Sequence, residues 1–285
     1  MALTKVLVAV KTYPTLSSKY DELVCTAGFL EDGSWIRVYP IPFRKLEYDK
    51  QYSKYDWIEV DLEKNTSDFR LESHKPKSIE TAFTIIDHLG TEDSWRLRKE
   101  IVLKNVHINM TELIAQAKDT KQYTSLAVFK PKEILDFKIE KVEREWDKKK
   151  LNTLKANAQQ LNLFKNSDNP FEVVQKLPYK FSYKFISEDN IERTMMIEDW
   201  EIGQLYLNCF KKAQKQTLDI ASAELIALKE VKQKYYDEFT SENDLYLFVG
   251  TTKEWHTRRS LNPFVIIGIF YPKKEWQSLL FSTYE

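Results

Sequence analysis

Through the first ninety residues short β-rich apolar runs are broken by polar turns, and this pattern predicts β-structure. Residues 5–10 form a β-rich run, followed by a loop over 12–20. Residues 23–29 and 35–39 then flank Glu31, Asp32, Gly33 and Ser34. An Asp-Gly pair between two β-rich runs signals a hairpin, because the tight turn needs residues that accept positive φ. Pro40 and Pro42 are expected to end the second strand, since proline donates no ladder hydrogen bond. Residues 57–62 alternate as a half-buried strand should.

The pattern changes towards a helical period in the middle of the chain. Residues 94–103 and 111–118 suit short helices, and Phe129, Lys130 and Pro131 close a loop. Residues 134–142 alternate again, and 148–163 place Leu151, Leu154, Ala158 and Leu161 at helical spacing. Asn166, Ser167, Asp168, Asn169 and Pro170 read as a linker. The expected division is therefore a β-rich domain with short helices over 1–165 and an α+β domain over 171–285. In the latter, 179–185 alternate and 193–197 return after a turn at 187–190. Asp199 is an N-cap candidate with Glu201 in the first helical turn. A second helix is expected over 218–239. Residues 245–249 and 264–270 are continuously apolar, as strands buried on both faces are. Strands and helices do not alternate regularly, so the fold class is α+β rather than doubly wound.

Composition narrows the function classes. Of 285 residues, 42% are apolar and 30% charged, enough apolar material for a real core. The 43 basic and 43 acidic residues cancel, which argues against coating nucleic acid by bulk charge but leaves room for a local basic groove. Cys25 and Cys209 lack metal or disulfide spacing and are expected as buried thiols in a reducing compartment. Apolar runs are strand-length and no N-terminal signal stands out, so a cytoplasmic protein with no membrane partner is expected.

No phosphate-binding Gly-rich motif is present, and His74, His88, His107 and His256 are scattered. Three features could carry chemistry. On the strand at 35–39, Trp35, Arg37 and Tyr39 share one face while Ile36 and Val38 share the other. With Arg44 just beyond, such a face can stack bases and bind phosphates; the plainer reading is ring packing under a covering loop. The loop after residue 250 carries Lys253, Trp255, His256, Arg258 and Arg259, either a phosphate-facing edge or a solvated tip. Glu198, Asp199 and Glu201, at a strand-to-helix junction, could hold Mg²⁺, although helix capping explains them too. The mixed charges over 138–155 read as a solvated helix face.

The segment Val24, Cys25, Thr26, Ala27, Gly28, followed by Gly33, Ser34, Trp35, Ile36, Arg37, resembles bacterial proteins with dual OB-fold domains. In that family a Cys-x-Ala-Gly strand precedes a Trp-x-Arg strand. The resemblance covers about the first fifth of the chain and implies an OB-like β-barrel within 1–165, followed by a mixed sheet with helices. OB barrels commonly bind single strands, which favours nucleic acid as the partner. The leading expectation is a nucleic-acid-binding protein without a cofactor. One rival is a Mg²⁺-dependent nuclease using Glu198, Asp199 and Glu201. Another is a protein–protein adaptor, with a protein partner, in bacterial defence against phage.

Overall fold

The computed structural model describes residues 3–17, 21–78, 81–149, 151–156, 173–217 and 219–274, and its architecture is α+β. The first sheet is built from β1 (Thr4–Lys11), β2 (Thr15–Ser17), β3 (Asp21–Phe29), β4 (Trp35–Ile41), β5 (Asp56–Val60), β6 (Leu62–Lys64), β7 (Ser73–Pro76) and β8 (Phe83–His88). It runs in the order β6-β7-β4-β3-β1-β5-β8, with β2 added on β3. The expected hairpin is β3–β4, with Phe29 opposite Trp35 and Gly33 at φ 86° in the turn. A side chain there would be strained, which is why glycine suits the position. The second strand does not end at Pro40 as expected; it continues to Ile41, which pairs with Val24 across a register shift in β3. An interrupted ladder tolerates a residue with no N–H.

The second sheet contains β9 (Val106–His107), β10 (Leu126–Phe129), β14 (Tyr246–Thr251) and β15 (Phe264–Phe270), in the order β15-β14-β10-β9. The third joins β11 (Glu133–Lys141), β12 (Tyr179–Ile186) and β13 (Glu192–Met196). The helices are α1 (Glu92–Val102), α2 (Met110–Lys118), α3 (Trp200–Gln214), α4 (Ile220–Lys232), α5 (Phe239–Glu242) and α6 (Lys253–Thr257). A π-turn, Gln233–Glu238, joins α4 to α5. Asp199 caps α3 as expected, its carboxylate accepting from the Glu201 amide. The expected linker at 166–170, the second half of the helix expected over 148–163 and Leu218 lie outside the described residues; residues 151–156 are helical. β10 and β14, on either side of that linker, lie in one sheet.

Both faces of the first sheet are buried where it matters for the site. Ile36, Val38 and Ile41 join Val6, Val8 and Ile58 in one core. On the opposite face Ala27, Phe29 and Val10 meet Phe248, Val265 and Ile267 of β14 and β15. Fully buried Phe248 contributes about 1.5–3 kcal/mol relative to exposure. A third core gathers β12, α3 and α4 around Phe181, Tyr206 and Ala227. Among the described residues no helix is long and apolar enough to cross a membrane.

Candidate functional site

The alternation along β4 holds, but its Trp35–Arg37–Tyr39 face is not an open surface. Trp35 packs against Phe29 at 4.1 Å and Phe248 at 5.7 Å between ring centres, so the second sheet covers it. Arg44 is engaged by Glu22, which accepts from its guanidinium at 2.9 and 3.1 Å and also takes the Val174 amide. Only Arg37 and Tyr39 remain available, and they line a cavity of about 350 Å³ between β4 and the β14–β15 pair.

That cavity joins residues that sequence reasoning had assigned to three separate features. Arg37 and Tyr39 come from β4, Lys253 from the start of α6, and Glu198 from the segment between β13 and α3. Arg37 is only 3% exposed. Its Nη2 donates to the Ser125 carbonyl at 3.1 Å, and its Nε–H has no partner. Burial and the neighbouring Arg70 both pull its pKa down from the usual arginine value. Arg70 itself is fully occupied: it clamps Asp68 through Nε and Nη2 and donates Nη1 to the Thr251 carbonyl at 2.7 Å. Burial pulls the Asp68 carboxyl up, but the hydrogen bonds from Arg70 and Ser73 outweigh it and hold the group at about 2. Glu198 has the opposite balance, pushed up by burial alone. Cys25 also lines the wall, its thiol pushed up by burial and therefore a poor nucleophile.

The rest of the C-terminal loop divides. Lys253 Nζ donates to the Ser67 carbonyl at 2.6 Å, which pins the loop to the cavity rim while leaving its charge uncancelled. His256 turns inward: Nε2 lies 2.6 Å from the Ala117 carbonyl and Nδ1 3.0 Å from the Thr251 hydroxyl. A carbonyl only accepts, so Nε2 carries the proton and Nδ1 accepts. Burial lowers its pKa, so the ring stays neutral and fastens the loop. Trp255 is 38% exposed. Arg258 pairs with Glu254 at 2.9 Å on the surface. Arg259 lines a separate 170 Å³ pocket with Phe69, Tyr123 and His256.

The acidic junction does not converge. Glu198 faces the cavity, whereas Asp199 and Glu201 both accept from Lys54 Nζ, at 2.9 and 2.8 Å. An ammonium thus stands where the two carboxylates would share a metal ion. Among the described residues no group of three or more His, Cys, Asp and Glu side chains is placed to hold one.

Sequence reasoning missed Asp68, Arg70 and Lys54. The one local signal for the first two was the polar turn at Asn65 and Ser67, where the Ser67 amide donates to the Asn65 side chain. Lys54 carried none.

A family profile described as "Domain of unknown function (DUF8758)" matches residues 2–104, and one described as "Domain of unknown function (DUF8757)" matches residues 106–285. The second covers more than half of the chain, so the chain belongs to that family. The two matches meet between α1 and β9, and the cavity draws Arg37, Tyr39 and Arg70 from one and Glu198, Thr251 and Lys253 from the other. No curated protein and no solved structure matches the chain.

Proposed function

We propose that this protein binds nucleic acid, with the cavity lined by Arg37, Tyr39 and Lys253 as the contact site. One observation carries the reading: a buried guanidinium with one carbonyl partner and no carboxylate partner among the described residues lines a cavity that also presents a tyrosine ring and a lysine. A buried, incompletely satisfied charge is costly, and an anionic ligand offsets that cost. Three cations and two carboxylates line the cavity, and one of the carboxylates is clamped by Arg70. The local balance is therefore positive in a protein of zero net charge. In this reading the N-terminal sheet serves as an OB-like binding face, with Tyr39 at the rim to stack on a base or sugar.

The test is binding of the purified protein to labelled single- and double-stranded DNA and RNA over a range of salt. Affinity that falls with salt and falls again in folded Arg37→Met and Lys253→Ala variants supports the reading. No binding at low salt overturns it and moves attention to the adaptor alternative. Glu198 in the same cavity keeps the nuclease rival concrete: Mg²⁺-dependent cleavage lost in a folded Glu198→Gln variant would replace a binding-only function.

A further inference from the structure

We infer that the cavity recognises the end of a strand, taking a terminal phosphate monoester rather than an internal phosphodiester; this rests on the nucleic-acid reading above. Size is the first argument. A volume of about 350 Å³ lies at the small end of ligand pockets, which run to roughly 300–1,000 Å³. It admits one nucleotide-sized group, not the run of roughly 4–16 nucleotides that an OB groove tracks.

Depth is the second argument. Arg37 is buried between two sheets, and an internal phosphate carries a sugar on both sides, so it needs a groove with an entry and an exit. A terminal phosphate carries one sugar and can enter end-on with three free oxygens. Two threonine hydroxyls line that space. The Thr12 oxygen accepts from the Cys25 amide at 3.1 Å, and the Thr252 oxygen accepts from the Trp255 amide at 3.2 Å. Each hydroxyl therefore keeps its proton to give, and both residues line the cavity. With the Arg37 guanidinium and Lys253 they supply donors for an oxyanion. The charge also fits: a monoester carries about −1.5 to −2 near neutral pH, against −1 for a diester, and the guanidinium forms no salt bridge with any described residue. Of the two carboxylates in the wall, Asp68 is neutralised by Arg70.

The experiment compares one internally labelled oligonucleotide sequence in four forms: 5′-phosphate, 3′-phosphate, hydroxyl at both ends, and a closed circle. One phosphorylated end is expected to bind at least tenfold tighter than the hydroxyl-ended and circular forms. Inorganic phosphate should compete, and Arg37→Met should erase the difference between forms. Should that variant not fold, exposed Lys253→Met provides the same readout. Salt-sensitive binding of equal strength to the circle and to both phosphorylated forms overturns end recognition and leaves nucleic-acid binding standing. Binding of a free nucleoside monophosphate with no preference for any strand overturns both.

Discussion

Two buried cations, 17 positions apart in sequence, have opposite surroundings. Lys54 is 8% exposed and held between Asp199 and Glu201. Burial alone would lower its pKa, but the two carboxylates outweigh that and raise it above the ordinary lysine value. Arg37 is 3% exposed and has one carbonyl acceptor, with Nε left over. The first arrangement is closed: the ammonium has two carboxylate acceptors, and these contacts tie the loop before β5 to the start of α3. In the second, no carboxylate among the described residues pairs with the guanidinium, which lines a cavity. Burial of a charge therefore does not by itself mark function; what distinguishes the two is whether the protein supplies the partner.

The largest effect should come from breaking the closed site. Lys54→Met leaves Asp199 buried without its partner and should cost about 3–5 kcal/mol in urea unfolding. Adding Asp199→Asn, which removes the charge but keeps a capping acceptor, should restore part of that loss, and a double variant no better than the single one would break the comparison. Next is the Asp68–Arg70 clamp beside the cavity. Asp68→Asn removes charge-assisted hydrogen bonds worth about 1.5–3 kcal/mol. The pH dependence follows from the carboxyl at about 2 in the fold against an ordinary 3.8. A carboxyl depressed by folding binds fewer protons in the native state, so its contribution is complete above 3.8 and lost as pH falls towards 2. The Asn variant should show a flatter acid limb, measured by unfolding at several pH values.

Arg37→Met sharpens the contrast because its two readouts should diverge. Stability should change by no more than about 1 kcal/mol, since one hydrogen bond is lost and one unsatisfied donor is removed. Ligand binding should fall sharply. Loss of stability comparable to that of Lys54→Met would make Arg37 a structural residue. Smallest of all is Arg258→Ala, which breaks an exposed pair with Glu254 whose side chains are 73% and 62% exposed. It should shift unfolding by less than about 0.5 kcal/mol and at most reduce the salt slope of binding.

Local pattern made much of the fold legible. The hairpin at Gly33, the strand at β5, the N-cap at Asp199 and the apolar runs of β14 and β15 all follow from side-chain periodicity and turn chemistry over a few residues. Short strands such as β6 and β7 escaped because three or four residues carry too little period to read. At the candidate site, Arg37, Tyr39, Lys253 and Glu198 were each singled out from sequence, but as members of three different features.

The sequence by itself determined that the chain is α+β, that Ile36 and Val38 face away from Trp35 and Arg37, and that cations cluster after residue 250, because each depends on neighbours along the chain. Only the tertiary structure decided what covers each face. Packing β14 and β15 against the first sheet partly buried Trp35, set Arg37 in the wall of a cavity and brought Lys253 to its rim. Lys54 was likewise joined to Asp199 across 145 positions. Those pairings depend on contacts between distant segments, and no local period encodes which buried charge finds a partner.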